Sequence, residues 1–133
     1  MNIIYHKEPE LIFLYLIHKA MYGNNKRFLV LYDTNLSIMR FKKLLAKCYN
    51  ILRDECEIFN PCMINNTLSF DNYIMRSTSK IFFRGIDEIR NLNMCKVKLN
   101  TVVATSALES LENRDVLISL STIVYSDGKI VVI

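Results

Sequence analysis

The chain has 133 residues, 51% of them apolar, with 7 Phe, 7 Tyr and a formal net charge of +4 at pH 7. That supply of apolar side chains excludes a disordered chain and predicts a single domain, residues 1–133, with its own core. The basic excess is small, so it permits an acidic partner or nucleic acid without demanding either.

In chain order, Asn2 to Tyr5 is a short apolar run that predicts a first strand. Pro9 suits the first turn of a helix, with Glu8 and Glu10 at its positive end. Leu11, Phe13, Leu14, Ile17, Ala20 and Met21 carry that helix to Tyr22, and Gly23-Asn24-Asn25 caps it. Phe28 to Tyr32 reads as a parallel strand covered on both faces. Asp33-Thr34-Asn35 supplies capping side chains for a helix from Leu36 to Leu52, with Ile38, Phe41, Leu45, Cys48 and Leu52 on one face. Asn60-Pro61 marks a loop. Thr67 to Met75 alternates, with Leu68, Phe70 and Tyr73 inward. Ser77-Thr78-Ser79 is read as its turn and Lys80 to Arg84 as the return strand of a β-hairpin. Ile86 to Leu92 predicts a short helix, Thr101 to Ala104 a buried strand, and Leu108 to Glu112 and Asp115 to Leu120 helical segments. Ser126-Asp127-Gly128 reads as a turn before a final strand, Lys129 to Ile133. This order predicts an α/β fold of three layers: a mostly parallel sheet, helices on both faces and one β-hairpin.

No run reaches the ~18 uncharged apolar residues of a membrane span. The run from Leu11 to Ile17 stops at His18 and Lys19, and Glu8, Pro9 and Glu10 do not fit a secretory leader. A cytoplasmic protein is expected. Cys48, Cys56, Cys62 and Cys95 form no C-x-x-C pair, and His6 and His18 lie far from them. Buried thiols are therefore expected and no metal site.

Several segments fit one family by their order and residues. Phe28 to Asp33 leads into a long helix. Leu68 to Phe70 precedes Lys80-Ile81-Phe82-Phe83-Arg84-Gly85-Ile86-Asp87-Glu88, with its F-x-G-x-D turn. Thr101-Val102-Val103-Ala104-Thr105-Ser106-Ala107 and Lys129 to Ile133 follow. Over about residues 26 to 133 this pattern resembles the ATPase domain of phage terminase large subunits, the motors that package viral DNA. The resemblance implies a P-loop-NTPase-like sheet in which Thr101 to Ala104 takes the place of the Walker B strand.

The departures bear on function. The chain has three glycines, Gly23, Gly85 and Gly128, and none opens a G-x-x-x-x-G-K-[ST] loop. In the place of that loop stands Tyr5-His6-Lys7-Glu8-Pro9-Glu10. Thr105 and Ser106 stand at the Walker B positions where the family carries two acids. Hydroxyls there have little basicity near neutral pH and do not support a metal's charge. A chain of this length is expected to lack the family's nuclease domain. No catalytic residue, cofactor or metal ligand is expected.

Arg40, Lys43 and Lys47 share one side of a helix and are candidates for contact with nucleic acid or a partner; the alternative is a solvated face. Arg84 could touch a phosphate or a partner carboxylate, or pair with Asp87 or Glu88. The scattered tyrosines are read as core residues with hydroxyls at the surface, and His18 as hydrogen-bonded in place. The reading is of a viral or prophage-derived, catalytically inactive ATPase-like domain. It would bind a protein and regulate or inhibit a replication, packaging or defence machine. The alternative is a small nucleic-acid-binding module. A second copy of the chain is a further candidate partner, through an uncovered final strand.

Overall fold

A computed structural model describes residues 2–91 and 97–133. The elements are β1 (Asn2–Tyr5), α1 (Pro9–Tyr22), β2 (Arg27–Tyr32), α2 (Asn35–Ile51), α3 (Arg53–Ile58), β3 (Cys62–Ile64), β4 (Thr67–Asn72), β5 (Ser77–Gly85), α4 (Ile86–Asn91), β6 (Leu99–Ala104), α5 (Arg114–Ile123) and β7 (Val124–Val132). Two 3-10 turns, Ser106–Glu109 and Leu111–Asn113, join β6 to α5. One sheet carries all seven strands in the order β1-β7-β6-β2-β5-β4-β3. Its first five strands run parallel, and β4 and β3 are antiparallel additions. This is the α/β architecture expected.

Strand alternation divides the core. Phe28 and Val30 of β2 face α1, α2 and α3, whereas Leu29 and Leu31 face α4 and α5. An uninterrupted apolar run is what a strand covered on both faces requires. On the first face Phe13 lies 5.7 Å from Phe41 and 6.4 Å from Phe83 between ring centroids. On the second, Ile86, Leu108, Val116 and Leu120 pack over Val102 and Ile130.

Local chemistry sets the boundaries. The Thr34 hydroxyl accepts from the Ser37 N–H, and the Ser37 hydroxyl accepts from the Thr34 N–H, so a capping box starts α2. The Gly23 N–H donates to Lys19 O and closes α1. Gly23 is extended, with the left-handed conformation falling on Asn25 (φ 58°). Glycine is needed there because a Cβ would run into the Lys19 carbonyl.

Five expectations change. Residues 53–58 form α3 and residues 62–64 form β3, which turns the hairpin into a three-stranded meander. β4 ends at Asn72, so Tyr73 is exposed and Asn72 is the buried residue. Ser77 to Ser79 belong to β5, and the turn is 73–76, with Arg76 left-handed. Ser126-Asp127-Gly128 lies within β7: Leu99 faces Val124 while Thr101 faces Lys129, so these residues form a bulge. Finally, β7 is paired on both sides, by β6 and β1, which removes the uncovered final strand as a reason for self-association. Leu92, at the expected end of α4, and Cys95 lie outside the described residues. No described helix is long and apolar enough to cross a membrane.

Candidate functional site

In parallel α/β sheets ligands bind beyond the carboxyl ends of the strands, where neighbouring strands send their connections to opposite faces. Here β2 and β6 are neighbours; β2 continues into α2 on one face and β6 into α5 on the other. A cleft of about 600 Å³ opens at that point. Asp33 enters it from the end of β2, Asp87 from the start of α4, and Ser110, Glu112 and Asn113 from the turns after β6.

The charged groups lining the cleft are carboxylates, and Arg90 beside it is already engaged. Arg90 donates to Asp87 Oδ1 at 2.7 Å, Asp115 Oδ2 at 3.0 Å and Asn113 Oδ1 at 2.7 Å. That hydrogen bond from Arg90 holds the Asp115 carboxyl below its usual range. The Tyr32 hydroxyl donates to Glu88 Oε1 at 2.8 Å, and burial, then this bond, push its pKa up. The Tyr5 hydroxyl is raised by its hydrogen bond to Glu109.

In the loop between β1 and α1, the His6 N–H donates to Val132 O at 2.9 Å and the Glu8 N–H to His6 Nδ1 at 3.1 Å. Glu8 and Glu10 flank Pro9 at the start of α1, the positive end of the helix dipole. At the end of β6, Ser106 is exposed and opens a 3-10 turn. The Thr105 hydroxyl oxygen is buried without a hydrogen-bond partner among the described residues.

The basic candidates are not gathered at this cleft. Arg40 and Lys43 are exposed on α2. Lys47 pairs with Glu10 Oε2 at 3.0 Å and so braces α2 against the first turn of α1. Arg84 donates through Nη1 to Asn66 O at 3.0 Å and Phe83 O at 2.8 Å, and through Nη2 to Thr67 Oγ1 at 3.0 Å. Its guanidinium lies 5.4 Å from the Phe82 ring centroid. Arg84 thus fastens the β3–β4 turn, whose Asn65 and Asn66 are left-handed (φ 52° and 55°), rather than pairing with Asp87 or Glu88.

A second concavity, about 520 Å³, lies between α2 and the β3–β4 hairpin. Leu45, Tyr49, Pro61, Met63 and Leu68 make it apolar, and Lys42 is its charged group. Beside it β3 ends the sheet, with Met63 and Ile64 49% and 62% exposed. Sequence reasoning missed this groove because it depends on β3.

Cys48 and Cys56 are buried as expected, and burial raises both thiol pKa values, that of Cys56 to about 11. Cys62 is exposed, contrary to expectation. His18 is exposed too, its ring 4.9 Å from that of Tyr22. Tyr5, Tyr15, Tyr22, Tyr73 and Tyr125 lie at the surface rather than in the core. No cluster of metal-ligating side chains occurs among the described residues.

No family model matches the chain, and no curated protein matches it by sequence. Solved structures do resemble it. The large terminase of a thermophilic bacteriophage, in complex with ADP, aligns with a TM-score of 0.61 and 13% identity, covering 98% of this chain and 33% of that one. Another crystal form of that terminase gives 0.62 and 13%, covering 98% and 32%. A mutant ATPase domain of the large terminase of Thermus phage P74-26 gives 0.52 and 9%, covering 98% and 58%. The chain thus spans about a third of the length of the first terminase. At these identities the likeness is one of fold, and it extends over β1 and α1, beyond the residues from which the sequence resemblance was drawn.

Proposed function

We propose that this chain is a terminase-ATPase-like domain of viral or prophage origin that no longer turns over nucleotide. It acts by binding a protein, as a regulator or inhibitor of a replication, packaging or defence machine. The observation that carries this reading is the charge at the carboxyl ends of the strands. Asp33, Asp87 and Glu112 line the cleft there. Glu8 and Glu10 lie beside the start of α1. A triphosphate would meet carboxylates where it needs convergent N–H donors and cations. Thr105 and Ser106 add no charge with which to hold a metal.

The partner surface in this reading is the groove between α2 and β3. It is apolar, lies at an open sheet edge, and is bordered by a helix without an acidic residue from Asn35 to Ile51. Such an edge invites an added strand, and such a groove apolar side chains. The test is steady-state phosphate release, together with calorimetric titration by ATP and Mg²⁺. The expected result is no turnover and no metal-dependent binding. Magnesium-dependent micromolar binding with turnover would overturn the reading.

A further inference from the structure

At the opposite end of the sheet, α1 and the amino-terminal ends of β2 and β6, with the bulge of β7, enclose a polar cleft of about 220 Å³. Lys19 reaches it from α1, Lys26 from the residue before β2, and Lys129 from β7. The carboxylate lining it is Asp127, yet none of the three lysines makes an ion pair among the described residues. The Lys19 ammonium lies 5.8 Å from the centroid of the Tyr15 ring, which also lines the cleft.

Two uncharged groups complete the lining. Thr101 is only 4% exposed and lines the cleft. Asn100 accepts the Arg27 N–H through Oδ1 at 2.8 Å, which leaves its NH₂ group as a donor. Register fixes the arrangement, since Lys129, Thr101 and Phe28 stand opposite one another on β7, β6 and β2. The cleft therefore brings together ammonium, amide and hydroxyl donors with an excess of positive charge. Unpaired like charges repel one another, and an acceptor-only anion relieves that repulsion. The space holds several waters' volume at about 30 Å³ each, but is below the roughly 300–1,000 Å³ typical of pockets that enclose a drug-sized molecule.

We propose that this cleft is a phosphate-binding site. Its ligand is a phosphate oxyanion, either free or carried by a nucleic-acid backbone whose bases remain outside. The site is separate from the cleft at the carboxyl ends of the strands and goes beyond the protein-docking reading.

The test uses the whole chain in low salt, about 50 mM, with EDTA present so that no metal-dependent nucleotide binding contributes. Labelled oligothymidylate and inorganic pyrophosphate are titrated separately. Binding of either, weakened about tenfold or more in the Lys19→Gln/Lys129→Gln variant, supports the proposal. Oligothymidylate binding that pyrophosphate cannot displace assigns the ligand to a nucleic-acid backbone; pyrophosphate binding alone assigns it to a free anion. Asp127→Asn should tighten binding by about twofold or more, because it removes the one opposing charge. A purely structural cluster would not show that gain. Both altered lysines are exposed, so the fold should survive, with circular dichroism as the check. Failure of both probes to bind overturns the site. So does undiminished binding by the double variant, or a loss equalled by Arg40→Ala/Lys43→Ala.

Discussion

Thr105 carries a buried hydroxyl with no partner among the described residues. Leaving such a group unmade costs about 1–3 kcal/mol, and an apolar isostere removes that cost. Thr105→Val should therefore be neutral or raise stability by about 1 kcal/mol in urea unfolding; a clear loss would mean that the hydroxyl serves a contact. Thr34 is the opposite case, since its hydroxyl caps α2. Thr34→Ala should cost about 1 kcal/mol, read as a fall of roughly 4 °C in melting temperature. The buried thiols give a pH dependence. The Cys56 pKa rises from 9.0 to about 11 on folding, so the unfolded chain loses its proton first as pH climbs. This contribution is fully present below pH 9 and declines between pH 9 and about 11. Cys56→Ala should flatten that decline, and an unchanged slope would contradict the assignment. Thiol-reactive reagents should label Cys62 ahead of Cys48 and Cys56 in the native protein.

The elements read correctly from sequence are those whose ends carry strong local chemistry. Pro9 and Gly23 bracket α1, and the Thr34 capping chemistry starts α2. β2 was legible because both of its faces are apolar. α3 was not, because one short turn of Arg-Asp-Glu-Cys-Glu-Ile buries only Cys56. Asn72 misled the alternation for a different reason. Its Nδ2 donates to Met21 O and its Oδ1 accepts from the Met75 N–H, so a polar residue is buried to close the turn. In β7 the Ser-Asp-Gly signal is real but produces a bulge, because the strand resumes its pairing at Lys129. Gly128 belongs to that bulge, and a Cβ there would meet Val124 Cγ1 together with the carbonyls of Tyr125 and Asn100. Gly128→Ala should destabilise by about 1–3 kcal/mol, measured by chemical unfolding. A neutral result would show that the bulge can relax.

At the scale of the whole molecule, two clefts at opposite ends of the sheet carry linings of opposite charge. The cleft at the carboxyl ends of the parallel strands is lined by Asp33, Asp87 and Glu112, and the cleft at the amino ends by Lys19, Lys26 and Lys129 with Asp127. Only the topology could show this, because each cluster joins residues far apart in sequence. The sequence could show that it carries no glycine-rich loop, but not that carboxylates line a cleft at the carboxyl ends of the strands or that a basic cleft lies at the other end. Arg84 shows the same limit: it fastens a turn built by β3, a strand too short to recognise beforehand.

The proposal stands or falls on whether this sheet, similar in fold to terminase ATPase domains, grips nucleotide. The most direct measurement is calorimetric titration of the intact chain with ATP and Mg²⁺ at physiological salt, in parallel with phosphate release. The expected result is no magnesium-dependent heat and no released phosphate. Saturable, magnesium-dependent binding in the micromolar range accompanied by turnover would contradict it.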